Sequence, residues 1–292
     1  MPSTRDIRRR IKSVKNTAQI TKAMQMVAAA KMRKAQQAAL VGRPYATLLN
    51  EMLSRASTGT VGFSHPLMQV RPIAKRAVVM VSSDRGLCGG LNSNLFREVV
   101  KLDKDTTIFV TAGRKAAQFI SRTKRSLAAE FQYKDAPQYA EARAISKSVQ
   151  QMFLKGDVDA VDILYPRFVN TLTQQPQLVP FLPIGKITAA TAGINAPKEE
   201  LPAQNSNDVY EFEPDESSVL GALLPHSLNF QMHQILLETK ASEQSARMVA
   251  MKNATDNAKQ IIKDLTLEYN KLRQANITKE LLEITTAQMA VG

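Results

Sequence analysis

Tryptophan is absent from this chain, and all aromatics together make up 5% of it. Scarce aromatics favour long helices, whose seams use Leu, Ile, Met and Ala. A single cysteine, Cys88, excludes an internal disulfide, carries no metal framework and is compatible with a reducing compartment. No stretch approaches the roughly 18 uninterrupted apolar residues of a spanning helix, so direct membrane insertion is not expected. Acids are also short, 26 against 39 Lys and Arg, for a formal net charge of +13. Apolar residues make up 44% of the 292, enough for one large or two modest domains with a packed core.

The positive charge is concentrated. Residues 1–43 hold eleven Lys or Arg and one acid, Asp6, while residues 215–292 are close to neutral. Such a field implies an acidic partner, whether nucleic acid, anionic lipid or an acidic protein surface, or else a solvated helix face. The Arg-rich start admits a transit-peptide reading. A mature helix start fits better, because Ser3 followed by Asp6 is a capping-box-like signal and the heptads begin at once.

Residues 3 to about 57 predict one long helix. Its stripe runs Ile7, Ile11, Val14, Ala18, Thr21, Gln25, Ala28, Met32, Ala35, Ala39, Gly42, Ala46, Leu49, Leu53, in alternating steps of four and three. Small residues in its middle allow close backbone approach. Pro44 predicts a local kink, or alternatively a break into two helices. A second stripe runs Leu237, Ala241, Met248, Met251, Ala258, Ile262, Leu265, Tyr269, Leu272, interrupted by Gln244 and Thr255. Asp215 is a plausible N-cap for this second helix, which continues to about 289. These are two halves of a coiled-coil seam.

Between them, 58–73 reads as a connector rich in Gly and Pro. Strands are expected at 77–81, 107–111, near 126–132, at 158–164 and, as an edge, at 178–182. Helices are expected at 93–101, 114–122 and 138–154. The alternation predicts a small Rossmann-like α/β domain over 74–184, with a mostly parallel sheet. Residues 185–207 read as an exposed, mobile loop, and 209–212 as a short extended piece. The domains are therefore 1–57, 74–184, 185–207 and 208–292. The fold class is α/β: an antiparallel two-helix coiled coil with the α/β domain inserted between its halves.

Lengths alone give a geometry. Helices of about 55 and 75 residues span roughly 80 and 110 Å. Both meet the middle domain at one end, so they pair antiparallel, with residue n beside about 272 − n. Met24 then faces about Met248, and the last twenty or so residues overhang as a single helix. The expected product is a rod with a globular foot and an apolar tip.

Chemical motifs are weak. Ser82–Asn92 (SSDRGLCGGLN) follows a strand and precedes a helix, but it lacks both the P-loop Gly-Lys-Ser/Thr and the G-x-G-x-x-G spacing. A tight turn or protein contact competes with a phosphate cradle. Cys88 in that turn reads as a packed thiol, although Arg85 is placed to activate it. His226 and His233 are seven apart on a helix, but no carboxylate or cysteine completes a metal site, so surface or seam packing is favoured. No Ser-His-Asp or paired-carboxylate arrangement stands out. No catalytic residue, cofactor or metal ligand is assigned. Met24, flanked by Ile20 and Val27, is either a widened apolar edge or a contact for a third partner.

Four stretches carry a resemblance: NTAQITKAMQMVAAAKMRKAQ at 16–36, DRGLCGGLN at 84–92, ASEQSARMVAMKNATDNA at 241–258 and YNKLRQANITKELLEI at 269–284. With these the chain resembles the gamma subunit of F-type ATP synthases, in a bacterial form. The resemblance implies a non-catalytic central shaft inside a 3:3 ring of alpha and beta subunits, with a foot on the epsilon subunit and the c-ring. It would couple proton-driven rotation to ATP synthesis or hydrolysis, as a peripheral protein on the cytoplasmic face of the inner membrane. Carried over, the beta-subunit contacts are Met24, Arg85, Arg247, Gln274 and Thr278. Tyr210 and Glu211 would meet the c-ring or epsilon. Ile284, Met289 and Val291 would form the tip in its bearing, although the ending TTAQMAVG lacks the family's frequent Gly-Ala pair. The cysteine-pair redox switch of plastid members is excluded. A basic coiled coil binding nucleic acid or membrane leaves the apolar tip unexplained, so no nucleic acid is expected. A nucleotide-using enzyme lacks its phosphate motif.

Overall fold

The computed structural model describes residues 3–59, 65–184, 213 and 215–291. The expected loop at 185–207 and extended piece at 209–212 lie outside the described residues. In order, the elements are α1 (Thr4–Gly59), a 3-10 turn (Pro66–Met68), β1 (Arg76–Val81), α2 (Leu91–Lys101), β2 (Thr107–Ala112), α3 (Arg114–Arg122), β3 (Ser126–Phe131), α4 (Tyr139–Lys155), β4 (Ala160–Phe168), β5 (Gln174–Leu182) and α5 (Glu216–Val291). Two compact units result: Met1–Ala28 with Met248–Gly292, and Ala29–Arg247.

In the first unit, α1 opens with the expected capping box. The Asp6 N–H donates to Ser3 Oγ at 3.2 Å, and the Ser3 N–H donates back to Asp6 Oδ2 at 3.4 Å. The Ser3 hydroxyl, donating to Asp6 Oδ2 at 2.8 Å, and then the Ser3 N–H hold the exposed Asp6 carboxyl below its ordinary range. The seam is buried or half-buried at Ile7, Ile11, Val14, Ala18, Thr21, Gln25 and Ala28, while the intervening basic residues are exposed. On α5 the same alternation continues through Met251, Thr255, Ala258, Ile262, Leu265, Tyr269 and Leu272. The interruption at Thr255 has a partner: its Oγ1 lies 2.7 Å from Thr21 Oγ1 across the buried seam.

The register differs from the length argument by about one helical turn. Thr21 meets Thr255 where position 251 was expected, and the Arg8 guanidinium donates to the Tyr269 hydroxyl where 264 was expected. Met24 is thus level with Lys252 and not with Met248. Helix α1 continues to Gly59, past the expected end at 57.

In the second unit the sheet order is β3-β2-β1-β4-β5, parallel except for β5, which runs antiparallel to β4 at the edge. The alternation of β1 decides its two faces. Ala77, Val79 and Val81 join Val110, Val161 and Ile163 under Ile145, Val149 and Phe153 of α4 and Met232 and Leu236 of α5. Val78 and Met80 join Phe109 and Leu164 under Leu95 and Val99 of α2 and Ala116 and Ile120 of α3. The sheet is therefore covered on both faces, which explains why β1 and β2 read as near-continuous apolar runs. Strand β4 runs on to Phe168, beyond the expected 164, because the antiparallel ladder with β5 carries it.

Two features of the long helices in this unit follow from sequence. Helix α1 continues through Pro44, so the two-helix alternative does not hold. Gly42 lies against α5, where an added Cβ would stand 2.0 Å from Gln234 Nε2 and make that side chain swing aside. Further along, Leu49 and Leu53 pack with Leu220 and Leu224. Asp215 caps α5 as expected, accepting from the Ser218 N–H at 2.8 Å.

Candidate functional site

Open α/β sheets bind ligands outside the carboxyl ends of their strands, where strand order reverses. Here that point lies beyond β1 and β4, between the turn at 82–92 and one segment of α5. The turn is held by its own side chains. Ser82 Oγ accepts from the Ala116 N–H at 2.8 Å, and Asp84 Oδ1 from the Arg114 N–H at 2.9 Å. The Lys115 N–H donates to the Ser83 carbonyl at 3.2 Å. The first three amides of α3, which could otherwise bind an anion, are therefore occupied. Asn92 Nδ2 ties Ser83 Oγ at 2.7 Å and Cys88 Sγ at 3.4 Å. Cys88 is a buried, packed thiol, as expected. Leu87 and Gly89 take the left-handed backbone that the tight turn needs, leaving Arg85, Gly86 and Leu87 exposed.

Opposite the turn, α5 is buried on every side from Ile235 to Ser245. An all-round buried helix is ordinarily apolar; this one carries Glu238, Lys240 and Glu243. Each is met by a directed partner. Glu238 Oε1 accepts from the Phe168 N–H at 3.0 Å, at the end of β4. Burial, then the Glu238 carboxylate, pushes the neighbouring Tyr165 hydroxyl well above its ordinary value. Lys240, with its side chain 2% exposed, lies 3.0 Å from Glu243 Oε2 and 3.6 Å from Asp135 Oδ1. Its ammonium also sits 4.8 Å from the centre of the Tyr133 ring. Tyr133 in turn donates its hydroxyl to the Ser82 carbonyl at 2.9 Å. Burial raises that hydroxyl's pKa, as do the Glu243, Asp84, Asp135 and Glu141 carboxylates.

The charges form a chain of alternating sign. Lys31 of α1 pairs with Asp135 at 2.5 Å, Asp135 with Lys240, and Lys240 with Glu243. Glu243 Oε1 then takes Arg247 at 2.8 Å. Arg247 Nη2 reaches the carbonyls of Arg85 at 3.4 Å and Gly86 at 3.3 Å. The hydrogen bond from Lys31, and then the charge of Lys240, hold the Asp135 carboxyl below its ordinary range. The crevice is thus filled by the protein's own ions, and a phosphate would have to displace a paired carboxylate there. Breaking a buried pair by removing one partner costs roughly 3–5 kcal/mol.

Of the residues singled out by sequence, Arg85 and Arg247 are brought together in this site. In the first unit, Met24 is half-buried on the flank of the seam, with Ile20 and Val27 exposed. Gln274 and Thr278 are exposed and bonded to each other, the Thr278 hydroxyl donating to the Gln274 carbonyl at 2.9 Å. Ile284 and Met289 are exposed, and Val291 ends α5. Tyr210 and Glu211 lie outside the described residues. His226 and His233 pack among aromatics. His226 Nε2 lies 2.7 Å from the Tyr45 hydroxyl, and the rings of Tyr139 and His233 meet at 5.9 Å. Among the described residues no three acidic, His or Cys side chains group as a metal site, and no helix is long and apolar enough to cross a membrane. The sequence reading missed Lys31, Asp135, Lys240 and Glu243. The signal available was the run ETKASEQ, which places charge on more than one side of a helix next to the seam.

A family model described as ATP synthase matches residues 3–291. The chain is 48% identical over 298 residues to a protein of Opitutus terrae named ATP synthase gamma chain, covering 100% of each. It is 46% identical over 297 residues to a protein of the same name from Methylacidiphilum infernorum, again over 100% of each. Among solved structures it is similar to a chain of the Euglena gracilis mitochondrial ATP synthase rotor. The TM-score is 0.65 at 20% identity, covering 94% of this chain and 98% of that one.

Proposed function

The chain belongs to the ATP synthase gamma-chain family, and from that premise we propose how its surfaces serve a rotor. It is a non-catalytic subunit, the central rotor shaft that couples proton-driven rotation of the c-ring to ATP synthesis or hydrolysis at the beta subunits. Its partners are the ring of three alpha and three beta subunits, the epsilon subunit and the c-ring, and it is a peripheral subunit of the membrane-bound complex. The finer location we infer is the cytoplasmic face of a bacterial inner membrane.

The observation that carries the surface assignment is the one-sided burial of the seam. Helix α1 closes its apolar stripe on α5, while Arg5, Arg9, Arg10, Lys12, Lys15 and Lys22 are exposed. A shaft sealed on its inner side and cationic outside suits an encircling acidic wall. In this reading Met24 and the Arg85–Arg247 pair meet beta, and Gln274 and Thr278 present single-helix surface to the ring. Ile284, Met289 and Val291 form the apolar tip in its bearing, and Tyr210 and Glu211 serve the c-ring or epsilon.

The test is Met24→Lys in the assembled, membrane-bound complex. Met24 is only half-buried, so a lysine stem can lie on the seam's edge with its charge outward. Folding and copurification with the hexamer should survive, while ATP-driven proton pumping falls relative to ATP hydrolysis. Normal pumping would remove Met24 from the contact set. A complex fully active and coupled without this chain would refute the rotor itself.

A further inference from the structure

We propose that Lys240 and Glu243 are positioning residues: a buried ion pair that sets the guanidinium of Arg247 over the exposed turn, so that helix and turn meet the beta subunit as one surface. The inference rests on the reading that Arg85 and Arg247 face beta.

Glu243 is shared between two cations through different oxygens. Oε2 is held by Lys240 at 3.0 Å, and Oε1 by Arg247 at 2.8 Å. With one oxygen fixed, the carboxylate cannot rotate freely, and the other is aimed along α5 at Arg247. The Arg247 nitrogen bonded to Glu243 is the one that reaches the carbonyls of Arg85 and Gly86. The Arg247 fork is therefore placed on the turn from inside the protein. Lys240 is itself placed by Asp135, which is 63% exposed and takes Lys31 of α1 as its second cation. One chain of contacts thus runs from α1 through α5 to the turn.

Stability alone does not call for this arrangement. A buried ion pair replaced by neutral groups of similar volume is often tolerated. The pair's distinctive effect is directional, because it orients an arginine fork that would otherwise sample many rotamers.

The variants are Lys240→Met with Glu243→Gln, which removes the pair while Asp135 keeps Lys31 and Arg247 keeps the Arg85 and Gly86 carbonyls, and Arg247→Ala. Each is built into the full complex. Copurification, thermal melting of the isolated chain, and proton pumping per ATP hydrolysed are measured for both. The double variant is expected to assemble and to melt close to the parent, yet to lose pumping about threefold or more, as Arg247→Ala does. Parent-like pumping in the double variant, beside an uncoupled Arg247→Ala, overturns the positioning role and leaves the contact reading standing. Parent-like pumping in Arg247→Ala overturns both. Lys240→Met alone leaves Asp135 with Lys31 and Glu243 with Arg247, but strips the buried Glu243 Oε2 of its donor, and is expected to lower melting as well. Should it fail to assemble, the neutral double variant decides.

Discussion

Shortening the overhang should cost far less stability than one small change in the seam. Take Ile7→Ala against a chain ending at Ile284. Ile7 is 1% exposed. Removing a buried isoleucine to alanine costs about 2–5 kcal/mol, the upper part of which reflects a cavity that cannot close. Near the end of a two-helix seam the neighbours can close in, so about 2–3 kcal/mol is expected. At roughly 2–4 °C per kcal/mol for domains of this general size, that lowers melting by about 5–10 °C. The removed tail is different. Positions 273–289 are exposed throughout, with Met289 at 84%. Surface changes of that kind stay within about 0.5 kcal/mol, or less than about 2 °C. The assay is thermal melting of the isolated chain by the helical circular-dichroism band, with Ile7→Val as a graded control at about 0.5–1.5 kcal/mol. Equal losses from truncation and from Ile7→Ala would refute the division into a bonded seam and an unbonded extension.

Two further tests address the second unit. At Gly113 φ is +107° and an added Cβ would stand 2.2 Å from the Ser82 carbonyl oxygen, so Gly113→Ala should cost at least about 1–3 kcal/mol; an unchanged urea midpoint would contradict this. Burial holds the His233 pKa below 6.5 against the opposing charge of Glu141, so the unfolded chain binds the proton first. Stability should fall as pH drops through 6.5 and level off below the folded-state value, with His65 acting in the same direction. His233→Leu should flatten part of that slope, and identical urea midpoints against pH in both proteins would remove His233 as its source.

The long helices were legible because their signal is periodic and redundant. Fourteen positions from Ile7 to Leu53 repeat one spacing, and misreading any one leaves the stripe intact. Their register was less legible, because it depends on where helices end, and helix ends are marked by single caps. Strands β1 and β2 announced themselves as apolar runs. β3 did so weakly, because it lies at an edge and every second residue is exposed. The chain of ions left one faint trace, the charges of the run ETKASEQ. Lys31 and Asp135 are far apart in sequence, and nothing local distinguishes Lys240 from a solvated lysine. Its burial is a property of the sheet and turn that close over it.

The Thr21–Thr255 pair has a mechanical consequence. The first helix's seam is built largely from small residues near its middle, and smooth surfaces of that kind slide. Moving one helix past the other by a turn would part the two hydroxyls and forfeit the bond between them, a loss of about 1 kcal/mol. The pair acts as a tooth on an otherwise plain thread. Two strands that cannot creep along each other must turn together, so twist applied to one is passed to the other and not dissipated as slip.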